Sequence, residues 1–178
     1  MKNILLAFVL LSMSFISQNG LVYTGIIETK QTKEVMYKNA LLWFSSTFKN
    51  AKDVIELQDK ENYTIVGKGN FPYTSVGFFA RATASGHIDF TLKLFFKDYK
   101  FKYEFSDFYH FGSYADGYEP FNIGLITTDA ICPHKFPDGT IKSIPEKNWP
   151  NIKSIIESNV SMFLDGLKND IQKNNDNW

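Results

Sequence analysis

The chain has 178 residues, with 19 basic and 19 acidic side chains, zero formal net charge and one cysteine. That length fits one domain able to bury a core without metal or disulfide staples, and a lone Cys132 rules out an internal disulfide. Arg81 is the only arginine, so the clustered basic surface and Arg forks of nucleic-acid binders are missing.

Lys2 and Asn3 precede an apolar run, Ile4 to Leu11, followed by Ser12, Ser14 and Ser17. A positive start, an apolar run of about 8–13 residues and small residues after it make an export signal. The run falls short of the roughly 20 residues that a spanning helix needs. Cys132 is far from the cut, so lipid attachment is not expected. Phe15, where a small residue is preferred, leaves the cut between Ser17 and Gly20. Residues 1–20 are therefore expected to be a signal peptide, 21–173 a single domain and 174–178 a frayed polar tail. The protein is expected to be exported (periplasmic, outer-surface or secreted), with no membrane span once the signal is removed.

Leu21–Glu28 (LVYTGIIE) reads as a strand, with Gly25 at a bulge or a close-packing point. Thr32 is the expected side-chain N-cap of a helix from Lys33 to about Phe48. Its apolar face is Met36, Ala40, Trp43, Phe44 and Thr47, broadened by Tyr37, Leu41 and Phe48. Val54–Leu57 is a short strand, Gln58–Asn62 a charged turn and Tyr63–Phe71 the next strand. Gly67-Lys68-Gly69 lacks the spacing of a phosphate loop and opens no helix; glycines easing a strand bend explain it better. Pro72–Ser85 is looser, a strand extension or a loop.

Ile88, Phe90, Leu92, Leu94 and Phe96 alternate with Asp89, Thr91, Lys93, Phe95 and Lys97. After Asp98-Tyr99, Phe101, Tyr103 and Phe105 alternate with Lys102, Glu104 and Ser106. Two period-two runs across a very short turn predict an antiparallel hairpin, one face covered and the other wet. Gly112–Pro145 has no period; it is expected to be a long loop insertion with Ile123–Ile126 as a short extra strand. Asn148-Trp149-Pro150 is expected to open the last helix, with Pro150 in its first turn. Its stripe is Ile152, Ile156, Val160, Phe163, Leu167 and Ile171, interrupted by Gly166.

Tyr23-Thr24-Gly25-Ile26-Ile27-Glu28, Trp43-Phe44, Ala51-Lys52-Asp53-Val54-Ile55, Ile65-Val66-Gly67-Lys68-Gly69 and Tyr103-Glu104-Phe105-Ser106-Asp107-Phe108 together resemble a family of exported Bacteroidota domains of unknown function with a TATA-binding-protein-like (TBP-like) fold. The likeness spans roughly Leu21 to Phe108. It implies an α+β domain: a curved antiparallel sheet of about five strands, two long helices on one face, order β-α-β-β-β-β-α. It implies no activity and no catalytic residues. Where the family has Gly after the turn Asp98, this chain has Tyr99. A shared fold does not carry function. The open sheet face would show Lys93, Lys97, Lys100 and Lys102 against Asp89 and Glu104, without the wedges and Arg of minor-groove binders.

The leading functional expectation is a noncatalytic exported module that binds a protein, glycan or small ligand through the loop aromatics Tyr114, Tyr118 and Phe121. The second is a hydrolase using the 107–134 region: His110 or His134 as base, Cys132 as nucleophile, and Asp107, Asp116 or Asp129 as orienting acid. That chemistry needs nucleophile and base within hydrogen-bond reach, and no Gly-x-Ser-x-Gly or His-Glu-x-x-His is present. The third is a carrier of an apolar ligand between sheet and helices, which needs a sizeable cavity. Cys132 and His134 alone supply too few ligands for a zinc site. No cofactor and no metal are expected.

Overall fold

A computed structural model describes residues 20–48, 50–77, 81–115, 117–138 and 140–173. The expected signal and tail thus lie, apart from Gly20, outside the described residues. The elements in order are β1 (Tyr23–Glu28), α1 (Lys33–Thr47), α2 (Ala51–Val54), β2 (Ile55–Asp59), β3 (Thr64–Tyr73), α3 (Arg81–Ala84), β4 (Gly86–Lys97), β5 (Lys100–Gly112), β6 (Gly124–Leu125) and α4 (Ser143–Ile171). One antiparallel sheet runs β1-β5-β4-β3-β2, and β6 adds to β5. This is the α+β arrangement, an antiparallel sheet with two long helices, that the resemblance implies.

The β4–β5 register pairs Leu92 with Phe105, Leu94 with Tyr103 and Phe96 with Phe101, while Tyr23 and Ile27 lie beside Phe105 and Phe101. That inward set meets both long helices on the same face. Tyr37 of α1 stands edge-on to Phe96 at 6.0 Å, and Phe163 of α4 meets Phe90 at 5.4 Å. The helices meet each other where Trp43 contacts Phe163, next to Gly166.

The Gly-x-Gly of β3 has a packing reason. A Cβ on Gly67 would lie 2.7 Å from the Phe44 ring, and one on Gly69 would lie 2.7 Å from Phe90 and 2.8 Å from Phe48. These glycines let aromatic rings press directly on the sheet. Pro72 follows in the same strand. β2 pairs only with residues 64–67 of β3, so Pro72 sits where β3 is an edge and needs no donor on its outer side.

A bulge on β5 decides which of its residues go inward. Asp89 pairs with Tyr109 but Thr91 pairs with Ser106, so Asp107 and Phe108 share the single partner Phe90, with Asp107 at φ 56°. The extra residue turns Phe108 and His110 into the core in place of Asp107 and Tyr109. β5 therefore extends to Gly112, beyond the end of the alternation at Ser106. Tyr99 takes φ 65° in the β4–β5 turn, the left-handed conformation that glycine would supply.

Several expectations are corrected. Thr32 is the N-cap residue but makes no side-chain cap; the Asp98 carboxylate accepts from the Lys33 N–H at 3.1 Å. The chain brings the turn acid to the helix end, which serves the same orphan donors. Val54 ends the short helix α2 instead of opening a strand. Arg81–Ala84 in the looser stretch is helical. α4 begins at Ser143, not at Asn148, so Pro150 lies within it and the insertion ends at 142. Pro150 is exposed, and the Glu146 carbonyl that it leaves without an N–H belongs to a solvent-facing residue. Thr91 and Ser106, expected on a wet face, are buried.

Candidate functional site

The end of the sheet at Gly86 and Gly112 has bare backbone. A Cβ on Gly86 would sit 2.1 Å from the Phe111 carbonyl oxygen, and one on Gly112 would sit 2.2 Å from the Thr83 carbonyl oxygen. Only glycine allows this approach, and it seats α3 against β5. The Thr83 carbonyl then accepts two N–H groups, from Ser113 at 3.1 Å and Phe121 at 3.0 Å. The Asn122 carboxamide oxygen accepts from the Gly112 N–H at 2.8 Å.

His110 fastens the same region from within. Its Nδ1 accepts from the Ile123 N–H at 3.1 Å, and its Nε2 bonds the Ala84 carbonyl at 3.0 Å. Both ring nitrogens are committed, which assigns the neutral Nε2–H tautomer. The ring is fully buried. Burial, with a smaller contribution from His87, drives its pKa from 6.5 down to about 4, against the opposing hydrogen bond to Ala84.

These fastenings hold one wall of a cleft of about 1130 Å³ beyond the end of the sheet. Its sides are residues 115, 117–122, 136, 137, 140 and 141, with Ala82 and Thr83 at the base. Ala115 and Tyr118 exchange backbone hydrogen bonds of 3.3 and 2.9 Å around a tight turn with Gly117 at φ 80°. Across the cleft floor, Phe121 stacks on Phe136 at 5.2 Å and 28° between planes.

The structure brings two of the three expected binding residues to this cleft. Tyr118 lines it at 71% exposure, and Phe121 lines it half-buried. Tyr114 is 76% exposed and outside the lining, joined to it through Glu119, which accepts a hydrogen bond from its hydroxyl and holds the phenol pKa up. Sequence reasoning did not select Phe136, Pro137, Thr140 and Ile141 as site residues. The available signal was the density of aromatics and prolines in a stretch without period.

The hydrolase candidates are placed apart in role. His110 has no free nitrogen. His134 directs Nε2 at the Leu125 carbonyl at 2.5 Å and stands edge-on to Trp149. Burial pushes the Cys132 thiol pKa up, eased by a hydrogen bond from the His134 backbone, which works against a thiolate. Asp129 accepts from the Thr127 hydroxyl at 2.6 Å, and Asp107 from Ser106 at 3.1 Å. Asp116 lies outside the described residues. Among the described residues, no group of three or more His, Cys, Asp or Glu is placed to hold a metal.

The sequence model for a domain of unknown function with TBP-like fold, DUF4468, matches residues 23–111. The chain belongs to the DUF4468 family. The match runs from β1 through β5 and stops where the cleft loop begins. A TBP-like protein from Parabacteroides distasonis shares the fold at a TM-score of 0.56 and 14% identity, over 84% of this chain and 94% of its own. A DUF4468 family protein from Bacteroides ovatus aligns at a TM-score of 0.48 and 12% identity, over 81% of this chain and 86% of its own. No curated protein matches this chain.

Proposed function

We propose that this DUF4468 protein is an exported, noncatalytic binding module of the cell envelope, whose protein, glycan or small-molecule ligand seats in the cleft between segments 115–122 and 136–141. The observation that carries this reading is the cleft itself. About 1130 Å³ of open concavity coincides with the aromatic stretch, and its wall is pinned to the sheet by His110 and by glycine-only contacts. Binding sites favour such preformed, mostly apolar concavities with a few polar groups. The fully engaged His110 imidazole and the raised Cys132 thiol support binding over catalysis. The carrier alternative has less support, because Phe44, Phe48, Phe90 and Phe163 meet in ring contacts between sheet and helices. On the open sheet face Lys68 pairs with Glu56 at 2.8 Å and Lys93 with Glu104 at 2.9 Å, which disfavours nucleic acid.

The test is amide mapping by NMR with oligosaccharides, peptides and small amphiphiles as probes. Shifts clustered at 115–122 and 136–141 are expected, without turnover of any probe. Clustering on another surface, or hydrolysis of a probe, would overturn the proposal.

A further inference from the structure

We infer that the cleft takes a neutral, hydroxyl-rich oligosaccharide; this deepens, and rests on, the cleft-binding reading above. Charge makes the first cut. Among the described lining residues Glu119 is the only carboxylic acid, and no Lys, Arg or His joins it. A phosphate, sulfate or carboxylate entering here would meet the Glu119 carboxylate, with no compensating cation among the described lining residues.

Ring geometry makes the second. Cages for quaternary ammonium ions surround the cation with ring faces. Here Phe121 and Phe136 lie nearly parallel on one another, and Tyr118 stands out at the rim. The exposed Tyr118 ring, beside that stacked pair in the lining, offers a platform for a flat apolar face, such as the C–H face of a pyranose ring.

Hydrogen-bond chemistry makes the third. Glu119 is acceptor-only when ionised. The Asn122 carboxamide uses its oxygen on Gly112 N–H, which leaves its NH2 as a donor; the Thr140 hydroxyl can do both. Sugar hydroxyls donate and accept, so they satisfy all three. A proline-rich peptide is poorer in donors, because each proline lacks an N–H, and so offers fewer partners for the remaining Glu119 lone pairs. The cleft's volume, above the usual range of about 300–1,000 Å³ for small-molecule pockets, fits several sugar rings in a row.

The experiment titrates the isotope-labelled protein with four probes: a ladder of neutral gluco- and manno-oligosaccharides, the same length range as oligogalacturonates, a proline-rich peptide and choline. The neutral ladder is expected to shift amides of both cleft walls, with affinity rising along the ladder. Tyr118→Ala, at an exposed position that folding does not need, is expected to weaken binding about tenfold, in line with loss of one aromatic contact. Glu119→Gln is expected to admit the oligogalacturonates. Cleft shifts from galacturonate, peptide or choline with none from the neutral ladder overturn the ligand class while leaving the cleft as a binding site. A cleft silent to all four probes overturns the inference, and the reading beneath it is then decided by the peptide and amphiphile mapping above.

Discussion

His110 is a titratable side chain silenced by its surroundings, and that has a measurable consequence. Its folded pKa, about 4, lies below the model-peptide value of 6.5. Between those values the unfolded chain binds a proton that the folded chain refuses, so stability falls as pH drops through this window and levels off below it. The full effect is about 3 kcal/mol at roughly 1.4 kcal/mol per pH unit. His110→Gln keeps an acceptor for Ile123 and a donor for Ala84 but cannot titrate. Urea denaturation from pH 7 to pH 4 should therefore show the wild type losing about 3 kcal/mol more than the variant. Parallel profiles would show that the imidazole is not held neutral. At the same scale, Gly67 and Gly69 are glycines because Phe44, Phe48 and Phe90 occupy the space of a side chain. A glycine pair resembling a nucleotide motif is here a contact surface for a helix.

Among the elements, the two long helices were legible because their apolar positions repeat every three or four residues. Met36, Ala40, Trp43 and Phe44 are buried, as are Ile152, Ile156, Val160, Leu167 and Ile171. What escaped was set by tertiary partners. Asp98 replaces Thr32 as the cap of α1 because the β4–β5 turn arrives beside the helix end. Asn39, buried and polar, donates to the Ile171 and Lys173 carbonyls at 3.2 and 3.0 Å and so closes α4 from the neighbouring helix. Asn148 accepts from the Tyr73 hydroxyl at 2.5 Å and the Val76 N–H at 2.9 Å, tying the start of α4 to the end of β3. No period announces such bonds. The helix pair itself is testable at Trp43, which meets Phe44, Phe48 and Phe163 within 6.3 Å. Trp43→Ala should lower stability by about 3–5 kcal/mol in chemical denaturation through the cavity it leaves. A loss below about 1 kcal/mol would mean that α1 and α4 do not share this core.

At the scale of the whole molecule, the β4–β5 hairpin followed from alternation, and the element order and helix placement from resemblance, whereas the cleft did not, because it is assembled by segments far apart in sequence. Residues 82–83, 117–122, 136, 137, 140 and 141 line it together, and His110, turned inward by the β5 bulge, ties Ala84 to Ile123 beside it. The chain also enters the body at this end: Gly20 bridges to Thr127, and the Leu21 N–H donates to the Ile126 carbonyl at 2.9 Å. A signal cut between Ser17 and Gly20 would therefore release a protein whose first residues are already bonded to the 126–127 segment, with almost no tether. Two measurements follow from this placement. Intact-mass analysis of the protein from the cell envelope should find the new N-terminus between Gln18 and Leu21. Val9→Arg should trap the full-length chain in the cytoplasm, since an arginine at the centre of the apolar run costs about 2.5–3.5 kcal/mol on insertion scales. Full-length protein in the cytoplasm of the wild-type strain, with none processed, would remove the export step and with it the envelope setting of the proposed ligand.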